Sequence, residues 1–418
     1  LNIQKINVSQ IKAAKYNPRK DLKPGDSEYE KLKKSIEEFG YVEPVIWNSR
    51  TGNIVGGHQR YKVLTALGYN EIDCVVLDID EQKEKALNIA LNKINGEFDI
   101  PLLTDLLKDI GDGGFDVSFT GFDAAEIDEL FKDSTAGNIK EDDFDADKAA
   151  AEIITPISQR GDIWLLGKHR LMCGDSANTS DVEKLMDNKK ARCVFTDPPW
   201  NVDYGADTKH PSWKPRTILN DKMSTEDFGA FLLQVFSCMR AVSEVGCMTY
   251  IVMSGQEWGN LMNAMRALDY HWSSTIIWKK DSLVLSRKDY HTQFEPIWYG
   301  WAEGTRLCPL TDRKQSDVWE IPRPKVSVEH PTMKPIALVA RAIMNSSYTN
   351  DSILDLFGGS GTTIIAAEQT GRCCNMMELD PKYCDVIIKR YIENTHNDAG
   401  IFLIRNGETI LYSSVTQL

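Results

Sequence analysis

Ser352-Ile353-Leu354-Asp355-Leu356-Phe357-Gly358-Gly359-Ser360-Gly361-Thr362-Thr363 sets a short apolar run, a glycine-rich turn and the start of a helix in direct succession. The helix reads through Ile364 to Gln369. Strand, glycine loop and helix in this order let a ligand approach the unpaired N–H groups of a helix N-terminus. The next apolar run, Cys374-Asn375-Met376-Met377, ends at Glu378, 23 positions beyond Asp355. An acid at that distance suits the two hydroxyls of a ribose. The spacing does not fit G-x-G-x-x-G, and no G-x-x-x-x-G-K-[ST] is present. A nucleoside without a demanding pyrophosphate therefore fits best; the alternative is that the glycines serve only a tight strand-to-helix turn.

Further back, the apolar run Cys193-Val194-Phe195-Thr196 closes on Asp197-Pro198-Pro199-Trp200. The prolines fix φ and remove N–H donors, leaving a rigid turn with outward carbonyls. An exocyclic amine on a nucleobase is a poor nucleophile because its lone pair is delocalised into the ring. Asp197 and the carbonyl of Pro198 are suited to hold its two N–H groups as positive charge develops. Trp200 offers a stacking face. The competing reading is an Asp-Pro turn with an aromatic packed beneath it.

Strands and helices alternate around these motifs. Asp162 to Met172 reads as a hairpin turning at Gly167; strands at Met248 to Met253 and Ser274 to Trp278 alternate with helical stretches such as Glu226 to Met239. The pattern predicts an α/β domain over 154–418 with a largely parallel sheet. It is preceded by an acidic stretch, Lys140 to Lys148, with five acids and one large apolar residue. That composition reads as a linker or a solvated helix, and 136–153 is taken as an acidic linker. Residues 1–98 read as a small α+β unit, with a capping box at Ser27 and Glu30, a helix closed by Gly40 and a turn at Thr51-Gly52-Asn53; a helical extension covers 99–135.

With 42% hydrophobic residues, no apolar run of 18 and no signal-like N-terminus, the expectation is a cytoplasmic protein with no membrane contact. The nine cysteines are scattered without a Cys-x-x-Cys pair, so neither a zinc site nor a disulfide framework is indicated, and no metal is expected. A formal charge of −13 leaves room for nucleic acid only at local basic surfaces. Candidates are Lys209, Lys214 and Arg216, and then Arg313, Lys314, Arg323 and Lys325. Such clusters are also ordinary solvated loops.

Taken together, the Asp355 to Thr363 loop, Glu378 and Asp197-Pro198-Pro199-Trp200 resemble the S-adenosylmethionine-dependent amino methyltransferases of DNA, in the arrangement with the catalytic motif first. His330-Pro331-Thr332-Met333-Lys334-Pro335 resembles the family motif that helps enclose the methionine end of the cofactor. Gly174-Asp175 resembles the element whose carboxylate meets the cofactor's adenine. The resemblance implies a seven-stranded, mostly parallel Rossmann-like sheet. It makes Asp197, Pro198, Pro199 and Trp200 catalytic. It gives a cofactor set of Asp175, Asp355, Phe357, Gly358, Gly359, Ser360, Gly361, Thr362, Thr363, Glu378, Asp380, His330, Thr332, Lys334 and Pro335. A target base rotated out of DNA would meet Trp200 and Tyr204. Lys209, Lys214, Arg216, His291, Arg313 and Lys314 are the remaining base or DNA candidates, and Glu295 is a further candidate for the base pocket.

In the family an acidic first position such as Asp197 accompanies adenine N6 more often than cytosine N4. Adenine N6 in DNA is the expectation; N4 of cytosine, adenine in RNA, and a DNA-binding regulator with a methyltransferase-like scaffold are the alternatives. The recognition stretches, Asn201 to Asp221 and Trp301 to Pro324, are short, so a small site or a homodimer is expected. Restriction-modification and phage or mobile-element settings both suit such an enzyme.

Gly56-Gly57-His58-Gln59-Arg60-Tyr61, with Asn17-Pro18-Arg19 upstream, resembles the ParB/sulfiredoxin-like domain. There the glycine turn at a helix N-terminus and its arginine bind nucleotide phosphates, which makes Arg19, Gly56, Gly57, His58, Gln59 and Arg60 candidates for a nucleoside triphosphate. His58 and Gln59 depart from the acid and arginine of partition proteins. A degenerate module kept for DNA contact or dimerisation is the alternative.

Overall fold

The computed structural model describes residues 2–93, 98–113, 115, 117–202, 221–284, 289–302, 304–310, 314–324 and 333–415. The chain divides into two compact units, Leu1–Asp133 and Ser134–Leu418.

The first unit has a four-stranded sheet in the order β1-β4-β2-β3, with β1 at Ile3–Asn7, β2 at Val45–Asn48, β3 at Ile54–Gly56 and β4 at Glu71–Leu77. Val45, Ile54, Val63, Leu64, Ile72 and Cys74 form its core. The helix Ser27–Phe39 ends at Gly40, where φ is +67°. Its start differs from the expected capping box. Ser27 is already helical and Asp26 precedes the helix, but the Asp26 carboxylate turns back to accept from the Lys23 N–H at 2.7 Å. Glu30 reaches past Ser27 to the Gly25 N–H at 3.0 Å. A second cluster, Ala86, Ile89, Leu103, Leu106, Leu107 and Ile110, packs the helices Glu81–Lys93 and Ile100–Asp112.

Among the described residues the second unit holds a sheet of 11 strands. In chain order these are β5 Ile163–Leu166, β6 His169–Cys173, β7 Ala191–Thr196, β8 Ser243–Val252, β9 Tyr270–Val284, β10 Thr292–Ala302, β11 Val318–Glu320, β12 Ser352–Asp355, β13 Cys373–Glu378, β14 Ile401–Arg405 and β15 Glu408–Leu411. Their order across the sheet is β11-β9-β10-β8-β7-β12-β13-β6-β5-β14-β15. The centre, β8-β7-β12-β13-β6, is parallel throughout. Antiparallel pairing flanks this centre, β10 against β8 and β9 on one side and β5, β14 and β15 on the other, while β11 runs parallel to β9 at the edge. Among the described residues the sheet is therefore larger and more mixed than seven mostly parallel strands, because sequence-adjacent antiparallel pairs (β9–β10, β5–β6, β14–β15) combine with the long-range pairs β8–β10 and β5–β14. Along β7, Cys193 and Phe195 enter one apolar cluster while Val194 enters the other. Both faces of the centre are covered, as a parallel sheet requires.

The acidic stretch before this sheet, though largely exposed, is anchored to the unit through particular residues. Asp142 holds Arg390 through two bonds of 2.7 and 2.9 Å, and Phe144 is buried beside it. Glu141 accepts from the first two N–H groups of the helix Ile336–Ser346, at 3.0 and 2.8 Å. A carboxylate suits that positive helix end. Arg390 is 1% exposed on the apolar face of the helix Pro381–Thr395, so its charge depends on this partner. Asp142→Ala should destabilise the protein by about 3 kcal/mol, since it leaves a buried guanidinium uncompensated. Urea unfolding followed by tryptophan fluorescence checks this, and an unchanged midpoint would show the connector to be energetically idle.

Candidate active site

Four neighbouring parallel strands end on one edge of the sheet, and each carries an acid there. Asp175 follows β6, Glu378 ends β13, Asp355 ends β12 and Asp197 follows β7. Ligands of open α/β sheets bind outside this edge.

Asp355 joins the two motifs. Its Oδ1 accepts from Thr196 Oγ1 at 2.9 Å and from the Phe357 N–H at 3.1 Å; its Oδ2 accepts from Thr363 Oγ1 at 2.6 Å. The residue before Asp197 is thereby tied to the first turn of the helix Thr362–Gln369. Burial pushes the Asp355 carboxyl up to about 7.

The loop between them needs its glycines. Gly361 caps the helix at φ +84°, and a Cβ there would meet Ile387 at 3.0 Å; a Cβ on Gly358 would meet Met376 at 2.9 Å. Gly359, at φ +52°, faces open space, with nothing within 4 Å of its Cβ direction. Its N–H donates to Glu378 Oε2 at 2.7 Å. Desolvation pushes Glu378 up to about 7. A carboxylate acceptor beside an open glycine loop fits the hydroxyls of a ribose and not a triphosphate. Ser360 and Thr362 are held from below by Arg390, which donates to the Ser360 carbonyl at 3.0 Å and to Thr362 Oγ1 at 3.1 Å. Asp380 caps the helix Pro381–Thr395 through the Lys382 N–H at 2.9 Å. Asp175 Oδ1 accepts from the Ala177 N–H at 3.0 Å. Phe357 meets Phe231 edge-on at 6.3 Å.

On the other half, Asp197 Oδ1 accepts from the indole N–H of Trp200 at 3.1 Å, and Oδ2 from Lys334 Nζ at 2.6 Å. Pro198 is buried, and Asp197, Pro199 and Trp200 are half-buried. Asp221 Oδ1 accepts from the N–H groups of Trp200 and Val202, at 3.1 and 3.3 Å. The Lys334 ammonium stands 5.1 Å from the Trp200 ring centre and 3.3 Å from Glu295 Oε2. Glu295 Oε1 in turn accepts from Lys280 Nζ at 2.6 Å. Lys334 thus spans both halves: its carbonyl accepts from Thr362 Oγ1 at 3.3 Å while its ammonium lies on Asp197.

Among the other candidates, His291 and Lys314 are exposed. Tyr204, Lys209, Lys214, Arg216, Arg313, Lys325, His330 and Thr332 lie outside the described residues. Sequence reasoning missed Lys280, Arg390, Asp142 and Asp221. The one available signal was Arg390, a charge set in the apolar stripe Cys384, Ile387, Ile388 and Tyr391.

In the first unit, Gly57 starts the helix His58–Ala66 at φ +89°. The His58 Nε2 is buried without a hydrogen-bond partner among the described residues. Burial, and then Arg19, pushes His58 down to about 4. Arg60 pairs with Glu43, and Gln59 donates to the Lys20 carbonyl at 3.1 Å.

Among the described residues no helix is long and apolar enough to cross a membrane. Residues 191–390 match the DNA methylase family of the N6/N4 type, 1–93 match the ParB N-terminal domain, and 101–160 match the ParB-methyltransferase HTH domain. The last covers the segment expected to be a plain helical extension and linker. The chain is 28% identical over 240 residues, 49% of its length and 78% of the relative's, to the DNA adenine methyltransferase YhdJ of Escherichia coli (strain K12). It is 38% identical over 135 residues, 29% of its length, to the type II methyltransferase M2.MboI of Moraxella bovis, and spans half of that relative. A solved structure, PvuII DNA methyltransferase (cytosine-N4-specific), aligns with 58% of this chain and 93% of its own at 14% identity and a TM-score of 0.44. The chain thus carries a segment that matches the DNA methylase family of the N6/N4 type, preceded by segments that match a ParB N-terminal domain and a ParB-methyltransferase HTH domain.

Proposed function

We propose that this protein transfers a methyl group from S-adenosylmethionine to the exocyclic N6 of an adenine rotated out of DNA. One observation carries the reading: Asp355 ties the strand end that carries Asp197 to the glycine loop facing Glu378, so amine grip and nucleoside cradle share one edge. The run β6-β13-β12-β7-β8-β10-β9, in which β10 alone is reversed, supports its identification with the seven-stranded methyltransferase sheet. The DNA adenine methyltransferase among the relatives supports adenine.

The cofactor, when bound, supplies an electrophilic methyl on a sulfonium. The chain supplies position and charge. Glu378 accepts from the ribose hydroxyls, and the Gly358 to Gly361 turn lets the nucleoside approach the backbone. Asp175 faces the adenine end, and Phe357 and Pro335 are assigned to the walls. Asp197 accepts one amine N–H and the Pro198 carbonyl the other, drawing the nitrogen lone pair out of the ring, while Trp200 holds the base plane. Action as a homodimer on a short target is in keeping with the brief recognition stretches. In the first unit, the unpartnered His58 nitrogen beside Arg19 and Arg60 supports a phosphate site for a nucleoside triphosphate. Stabilisation by nucleoside triphosphates alone, without S-adenosylmethionine, would favour the regulator instead.

Asp197→Ala should abolish transfer of tritiated methyl to DNA and leave cofactor affinity within about twofold; full activity would reject the mechanism. Glu378→Ala should weaken S-adenosylmethionine binding by calorimetry at least tenfold, and unchanged affinity would remove Glu378 from the site. Glu378 sits near 7 in the free protein, and only its ionised form accepts both hydroxyls. Affinity should therefore rise from pH 6 to 8, by up to tenfold per unit below 7, with proton release on binding. Glu378→Gln should flatten that dependence.

A further inference from the structure

The charged row Asp197, Lys334, Glu295, Lys280, buried except at Asp197, comes from four separate segments: the turn after β7, the residues before the helix Ile336–Ser346, β10 and β9. The side chains of Lys334, Glu295 and Lys280 are 8%, 5% and 4% exposed. Signs alternate along the row and cancel. Burying three of these charges is costly, and apolar residues of similar volume often give equal or greater stability. Stability alone does not account for such a row beside a reactive carboxylate.

We infer that Lys334 is a positioning residue on the base side of the reaction, fixing the Asp197 carboxylate in the ionised state and orientation that accept the amine N–H. The inference rests on the methyl-transfer reading above and deepens it. It differs from the role expected for the His330 to Pro335 segment, enclosure of the cofactor's methionine end, because the ammonium lies 2.6 Å from Asp197 Oδ2. Glu295, fixed by Lys280, holds the ammonium from behind.

The surroundings give Asp197 no other cation in contact among the described residues. Asp355 lies behind it through Thr196, Asp221 caps the Trp200 turn, and Glu295 stands across Lys334. Burial pushes Asp197 up, and Lys334 is the largest influence pulling it back. Burial alone would lower Lys334, but Asp197 and Glu295 hold it above its ordinary value, so it stays charged. Without that charge, burial favours the protonated form of Asp197, which presents a donor where the amine needs an acceptor.

The test compares the full-length wild type with Lys334→Met, Lys334→Arg and Glu295→Gln, measuring kcat/KM for DNA from pH 5.5 to 9.5 and S-adenosylmethionine affinity by calorimetry. Lys334→Met should lose about 100-fold at pH 7, shift the ascending limb upward by one to three units and recover with pH, with cofactor affinity within about twofold. Lys334→Arg should keep the limb near its wild-type place. Glu295→Gln removes a carboxylate that raises Asp197, so its limb should move downward; a merely structural row would move both variants alike. Should Lys334→Met not fold, the opposite behaviour of Glu295→Gln and the retained limb of Lys334→Arg still decide. An unmoved limb in folded Lys334→Met, or weaker cofactor binding with kcat unchanged, overturns the inference. Were the wild type inactive on DNA, the reaction itself would be rejected. The pairing is then tested by infrared difference spectra of the Asp197 carboxyl against Asp197→Asn, where no upward shift in Lys334→Met contradicts it.

Discussion

The buried carboxylate of Asp355 is the interaction on which the rest of the site depends. It collects donors from the end of β7, from its own turn and from the first turn of the next helix. Two loops more than 150 residues apart in sequence are thereby locked on one sheet edge. Burial makes that carboxylate costly, and three hydrogen bonds compensate. Its position between the halves explains why a residue outside the reaction shapes both.

Around this knot the chain supports each half from a different direction. Arg390 holds the glycine turn from below and is itself held by Asp142, while Glu141 caps the helix that follows Lys334 and Pro335. The acidic connector is thus part of the framework beneath both halves. Around the Asp197 turn, Asp221 accepts from the backbone N–H of Trp200 and the Lys334 ammonium donates to the Asp197 carboxylate. The acids that dominate the composition are, at this edge, individually partnered, which is how a chain of net charge −13 carries an ordered site.

Local patterns carried most of what was legible in the sequence. Strand, glycine turn and helix at Ser352 to Gln369 are contiguous, and the Gly40, Gly52 and Gly167 turns have φ of +67°, +78° and +58°. Pairing across long separations was not legible. Lys140 to Lys148 reads as solvated because its partners, Arg390 and Gln369, lie more than 200 residues away. The antiparallel wings likewise depend on which edge each hairpin joins, and strand period does not specify that. Lys334 was placed with the cofactor by resemblance, whereas its ammonium is found on Asp197, since the motif fixes the backbone but not the side chain's partner. The capping box at Ser27 failed because Asp26, one residue earlier, competes for the same turn.

The central claim is that this edge methylates adenine in DNA. Mass spectrometry of nucleosides from duplex DNA incubated with the purified full-length protein and S-adenosylmethionine tests it most directly. The account predicts N6-methyl-2′-deoxyadenosine, absent when the cofactor is omitted. Methylated cytosine alone, methyl groups found only in RNA, or no methylated nucleoside at all would contradict it.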